Sequence, residues 1–269
     1  ITGATSAAAD ITTANTNTTG VVTVNSTTLT GTAAQLTTVY TANAAGTVVG
    51  LGNEAVTVTD TTISAADIAT LNAYTTGVVT VQATTVTGSA SSIATAYAAN
   101  TAGTVTGLGN EAVTLSDTGT ISVTDLNSID AATSGSVNAA AITGVSGTAT
   151  AINTAYASSG ITGLGNESIT LSDTSTTATT LNTLDASTTG SINAGTITSL
   201  TGSTADLNTA YASSGITGLA NEAVTITDTA LTAAALNTLN GNTTGAVDAG
   251  TVTTLTGSGA EVNQVYSTA

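Results

Sequence analysis

Four pairs of carboxylates recur at one spacing in this chain: Glu54 with Asp60, Glu111 with Asp117, Glu167 with Asp173, and Glu222 with Asp228. Two neighbouring carboxyl groups could serve as general acid and base, as in glycoside hydrolysis. Stacked in rows with Asn oxygens, they could instead act as hard ligands for Ca2+. Repetition argues against catalysis, because an enzyme needs one shaped pocket and four copies supply a uniform surface. The chain has no Lys, Arg, His or Cys, so nucleophile activation and oxyanion stabilisation would lose their usual side chains. The D-x-D-x-D-G loop and the glycine-rich nonapeptide of calcium-binding repeats are also missing. These residues therefore define no catalytic, cofactor or metal site, and leave room only for weak surface binding of Ca2+. The structural alternative is that each Asp ends a strand or caps the next turn.

The pairs recur because the chain does. Gly50, Gly107, Gly163 and Gly218 each open a G-L-(G/A)-N-E segment. Their near-constant spacing of about 56 residues marks a solenoid or an array. Within each period the pattern runs twice. The carboxylate pairs flank short runs such as Val56–Thr59, Val113–Ser116, Ile169–Ser172 and Val224–Thr227, in which apolar and hydroxyl residues alternate as in a half-buried strand. In the other half-period, runs such as Thr84–Thr87 and Thr198–Thr201 end at Gly31, Gly88, Gly147, Gly202 or Gly257. Taken together, these strand ends recur roughly every 28 residues.

A helix signal follows each strand. In Ile63–Ile68, Ser64 is placed to cap, Asp67 sits at the third helical position, and Ile63 faces Ile68 as a staple. Ser122 with Asp125, Ser203 with Asp206, Ser258 with Glu261, and Thr32 with Gln35 repeat the device. The inward residues then follow at Ile11, Leu36, Ile68, Ile93, Leu126, Ile152, Leu181, Leu207, Leu236 and Val262, which predicts ten helices. Gly77–Val81, Gly160–Leu164 and Gly190–Ala194 read as second, shorter strands, with corners at Gly109-Asn110 and Gly165-Asn166, where both residue types tolerate positive φ. The expected fold is an α/β repeat solenoid with strand–strand–helix rungs of about 28 residues, one continuous segment over 1–269 with about nine to ten rungs. Residues 1–49 read as degenerate first repeats. An all-β parallel β-helix is the competing architecture, and it requires the capped, Ala-rich segments to be loops.

Two further rows could carry chemistry. Tyr40, Tyr97, Tyr156, Tyr211 and Tyr266 should line alternate rungs with packed rings and hydroxyls at a wet edge, either as plain packing or as a sugar-binding strip. Hydroxyls flank the central apolar residue of each strand, as at Thr28 and Thr30, Thr57 and Thr59, Thr85 and Thr87, and Thr254 and Thr256. Stacked, they would make two parallel files, broken at Gly144 and Ser146, that resemble the ice-binding face of repeat antifreeze proteins. Thr also favours strands on its own account.

From Tyr156 to Glu167, restated almost unchanged from Tyr211 to Glu222, the chain resembles repeats of very large cell-surface proteins of marine picocyanobacteria. Leu181–Asp185 is similar to another of their recurring segments. The resemblance implies an extracellular or surface-attached location, a role in envelope, adhesion or surface motility, and no catalytic residues.

The sixteen Asp and Glu give a net charge of -16 with no basic side chain to offset it, so direct binding of nucleic acid is excluded. An anionic membrane surface is disfavoured for the same reason, and no long apolar run suggests insertion. The register begins and ends inside the pattern, as in a piece of a longer chain with uncapped ends that invite end-to-end self-association into filaments. The function expected from the sequence is a non-enzymatic structural repeat of an extracellular or cell-surface fibre. An ice- or polysaccharide-binding Thr face and a calcium-dependent adhesin are the alternatives.

Overall fold

The computed structural model describes residues 1–268. The chain is α/β, with ten helices among the described residues and parallel sheets built from repeated strand–helix units, an arrangement compatible with a repeat solenoid. The helices are α1 (Ala8–Thr16), α2 (Ala33–Ala44), α3 (Ala65–Tyr74), α4 (Ala90–Ala102), α5 (Val123–Ala132), α6 (Ala149–Ala157), α7 (Ala178–Asp185), α8 (Thr204–Ala212), α9 (Ala233–Asn242) and α10 (Gly259–Thr268). The capped, Ala-rich segments are thus helices, which corrects the all-β alternative.

Capping follows the sequence closely. Thr32 and Gln35 form a complete capping box at α2, while Ser64, Ser203 and Ser258 accept from the backbone N–H of Asp67, Asp206 and Glu261. The Ser122 hydroxyl accepts from the N–H of Thr124. Nine of the ten predicted inward residues are buried, from Ile11 to Leu236, and Val262 is half-buried. Each buried Leu or Ile contributes about 1.5 to 3 kcal/mol.

The chain divides into two compact units: Ile1–Asp117 with Asp125–Ala141 and Ser159–Gly163, and Thr118–Thr124 with Ile142–Ser158 and the described residues from Leu164 onward. In the first unit one five-stranded sheet runs Thr5–Ala7, Thr28–Gly31, Ala55–Val58, Val79–Val81, Val105–Thr106. A second runs Thr62–Ser64, Thr85–Gly88, Ala112–Leu115, Val137–Asn138, Ile161–Thr162. The second unit repeats the plan with Thr120–Ser122, Gly144–Gly147, Ser168–Leu171, Ile192–Asn193, Ile216–Thr217, and with a four-stranded sheet from Ser175–Thr177 to Val247–Asp248.

The pairing register differs from the spacing of strand ends. Thr5 pairs with Thr28 and Thr28 with Ala55, so the hydrogen-bonded steps are unequal, the first well short of the expected rung of about 28 residues and the second close to it. Two such steps fall short of the full period. The surplus is taken up by the strand between the carboxylates, such as Ala55–Val58, which pairs on one side with a strand leading into a helix and on the other with one leaving a helix. Counting strand ends averages over this extra strand and so overestimates the hydrogen-bonded step. The central file Leu29, Val56, Val79, Val105 is buried along the first sheet.

Candidate functional site

The carboxylate pairs do not act as pairs, because their two members go to opposite duties. Glu54, Glu111, Glu167 and Glu222 are 0 to 2 % exposed and point inward, although glutamate is among the residues least often buried. Each side chain is met by donors from its own repeat. The hydroxyls of Tyr40 and Tyr97 donate to Glu54 Oε1 and Glu111 Oε1, and those of Tyr156 and Tyr211 donate to Glu167 Oε2 and Glu222 Oε2 at 2.7 and 2.9 Å. Backbone N–H groups of the preceding turn complete the cradle. Gly52 and Asn53 donate to Glu54 Oε2 at 2.8 and 3.1 Å, Gly109 and Asn110 to Glu111 Oε2 at 2.8 and 3.0 Å, and Gly165 and Asn166 to Glu167 Oε2 at 2.8 and 3.2 Å. In the fourth copy Ala220 N–H reaches both oxygens of Glu222.

The G-L-(G/A)-N-E segment is therefore a carboxylate nest. Its first glycine is fixed on two grounds. Gly50, Gly107, Gly163 and Gly218 have φ from +87° to +91°, and a Cβ there would stand 2.2 to 2.7 Å from the backbone of Val24, Val81, Ala140 or Gly195. The third position varies because Ala220 donates the same N–H without a positive φ. Asn110 and Asn166 do not take positive φ either, so the glycine alone makes each corner.

A third residue closes the clamp. Thr75, Thr133, Thr188 and Thr243 are buried and donate to the main-chain carbonyls of Glu54, Glu111, Glu167 and Glu222 at 2.6 to 2.9 Å. Two residues on, Gly77, Gly135, Gly190 and Gly245 donate N–H to those threonine hydroxyls, and a Cβ on any of them would lie 2.1 to 2.2 Å from the same glutamate carbonyl. Sequence reasoning missed these threonines. Their signal is the T-(T/S)-G triplet found 21 or 22 residues after each glutamate.

Two expectations about the tyrosines and the aspartates are corrected. The tyrosine hydroxyls lie on buried carboxylates, not at a wet edge, because the carboxylate is the stronger acceptor and otherwise lacks a charged partner. Burial first, and then the neighbouring glutamate, pushes the hydroxyls of Tyr40, Tyr97, Tyr156 and Tyr211 well above the ordinary tyrosine range. Tyr266 is 74 % exposed and stands apart from the four. Asp60, Asp117, Asp173 and Asp228 each accept from the first N–H of a helix 24 to 27 residues earlier, at Ala33, Ala90, Ala149 and Thr204, at 2.6 to 2.7 Å. Each aspartate thus caps the helix one pairing step back, where the helix dipole favours a negative charge.

The hydroxyl files are also rearranged. Because Leu29 pairs with Val56 and not with Val58, the first sheet carries one polar file, Thr30, Thr57, Thr80, Thr106, which ends at Ala7 on the edge strand. The other file is interrupted where Ala55 meets Thr28 and Ala112 meets Thr85. Several of these hydroxyls already donate to the carbonyl of the next strand, as Thr87 does to Ile63 and Thr162 to Val137.

Among the described residues, no three Asp or Glu side chains are grouped to hold a metal ion, and no helix is long and apolar enough to cross a membrane. Compared with known families, curated proteins and solved structures, the chain matches none.

Proposed function

We propose that this chain is a non-catalytic structural repeat, an α/β solenoid segment of an extracellular or cell-surface fibre. The observation that carries the reading is the fourfold clamp: every Glu of the recurring pairs is buried against protein donors, and every paired Asp holds a helix terminus. Carboxylates held in this way tie consecutive turns together through protein donors, with Glu167 accepting all three of its hydrogen bonds on Oε2. The length of each turn is set by the parallel register, from Thr5 to Thr28 and from Thr28 to Ala55. Ladders of up to five strands tie each turn to its neighbours, and the length of such an array scales with repeat number.

Circular dichroism and electron microscopy of one sample, with and without a chelator, test this. Mixed helix and strand in rods that survive chelation are the expected result. Collapse on chelation would replace the reading with a calcium-dependent adhesin. A second reading, an ice- or polysaccharide-binding face, rests on the continuous Thr30, Thr57, Thr80, Thr106 file. It requires Thr57→Tyr to abolish inhibition of ice growth or glycan binding, whereas a fibre tolerates that change.

A further inference from the structure

Where the C-terminal ends of α7 and α8 meet, the surface carries a shallow polar cleft of about 610 Å³. It is lined by Asp185, the last residue of α7, and by Asn208, Thr209, Ala212, Ser213 and Ser214 at the end of α8. Internal bonds occupy the donors along its wall. Ser213 Oγ donates to Asp185 Oδ2 at 2.7 Å, Thr209 Oγ1 to the Ala205 carbonyl at 2.9 Å, and Asn208 Nδ2 to the Ala235 carbonyl at 3.2 Å. Further bonds fix the wall in place, since Ser213 Oγ accepts from the N–H of Gly215 and Asn208 Oδ1 from Asn242 Nδ2.

What these bonds leave open is chiefly acceptor: Asp185 Oδ1 and the lone pairs of the hydroxyls. Gly215 makes room for that oxygen, because a Cβ there would stand 2.3 Å from Asp185 Oδ1. Asn182 of α7 donates to the Asp206 carbonyl of α8 at 3.0 Å, and its Oδ1 is buried without a hydrogen-bond partner. The seam between the two helices therefore holds an acceptor that no protein donor meets. Helix C-termini also carry a partial negative charge, which Lys or Arg in the last turn commonly offsets. Neither α7 nor α8 has a basic residue there, and the whole chain has none.

A carboxylate oxygen, hydroxyl lone pairs and two negative helix ends call for a ligand that is positive and rich in donors. We infer that this cleft is a binding site for a small organic cation bearing a primary ammonium group. Its N–H donors match the acceptors left open, with Asp185 Oδ1 taking the charge-assisted bond and Thr209 Oγ1 a neutral one. The net charge of -16 raises the local concentration of such cations. Ca2+ fits the cleft less well, since it takes about six to eight oxygen ligands and a single carboxylate lines the wall. The site is separate from the clamp glutamates and the capping aspartates, and it stands whether or not the chain forms a fibre.

Amide NMR spectra of the isotope-labelled 269-residue chain, titrated with putrescine at low salt, test the site. Saturable shifts centred on Asp185, Asn208, Thr209, Ser213 and Ser214 are expected. Tetramethylammonium, which has the charge without the donors, should not reproduce them. Asp185→Asn should weaken binding about tenfold or more, because the amide oxygen still accepts from Ser213 while the charge is gone. Thr209→Val, an exposed change of similar shape, should weaken it about twofold to fivefold. Asp10→Asn removes an exposed charge on α1 and should leave it unchanged. Absence of saturable shifts, shifts spread alike over the exposed carboxylates, or affinity indifferent to Asp185→Asn overturns the site. An equal response to tetramethylammonium also overturns it, with a diffuse counter-ion cloud in its place. Tighter binding of Ca2+ at the same residues overturns it in favour of a metal site.

Discussion

At the scale of single residues, the unit of this protein is a glutamate held by a tyrosine, one or two main-chain N–H groups and a threonine–glycine pair. Removing one donor leaves a buried acceptor short of a partner, so Tyr97→Phe should destabilise the chain by about 1 to 3 kcal/mol in urea unfolding followed by circular dichroism. The tyrosines also make stability depend on alkaline pH. Their folded pKa values are raised, so their contribution is complete below the unfolded value of about 10 and is lost as pH climbs from there toward the folded value. Stability should therefore fall with pH above about 10, and phenolate absorbance of the four clamped tyrosines should appear together with unfolding. Absorbance rising at those four sites with the circular dichroism unchanged would contradict the clamp. The glutamates and the glycines were legible in the sequence as a repeated string. Their joint role was not, because the tyrosine, the nest and the threonine are spread along the chain and meet only through the strand register.

At the scale of elements, helix starts were the most legible feature, since a hydroxyl followed three residues on by an acceptor is a local signal that needs no tertiary context. Strand identity was equally plain from alternation. Register was not, because Leu29 pairs with Val56 on one side and Ser6 on the other across steps of unequal length, and period-two alternation alone permits a shift by two positions. That shift turned two expected hydroxyl files into one. It also moved the aspartates from the end of their own strand to the start of a neighbouring helix. Asp117→Ala should accordingly weaken α4 by about 1 kcal/mol, the usual worth of an N-terminal cap, with helical signal lost more than strand signal. A further ladder went unnoticed: Asn153, Asn182, Asn208 and Asn237 each donate from one helix to a carbonyl of the next, at 3.0 to 3.2 Å. The signal is Asn directly after the inward residue, and α1 to α4 have Thr or Ala there. Asn208→Ala should cost about 1 kcal/mol, read by thermal unfolding of the chain.

At the scale of the whole molecule, sixteen carboxylates without a basic side chain would ordinarily call for counter-ions. The fold answers much of that need internally, since eight of the sixteen are the clamp glutamates and the capping aspartates. Composition argued against nucleic acid and pointed to repetition, whereas this internal solvation of the carboxylates was hidden because backbone N–H groups leave no trace in a residue count. On the proposed reading the carboxylate rows hold the structure together through protein hydrogen bonds, without a bound metal ion. Urea unfolding of the unsubstituted chain and of Glu111→Gln, each in chelator and in excess Ca2+, tests it most directly. The predicted result is equal stability of the unsubstituted chain in both solutions, with Glu111→Gln less stable by about 1 to 3 kcal/mol in each. Loss of stability of the unsubstituted chain on chelation, or a harmless Glu111→Gln, would contradict it.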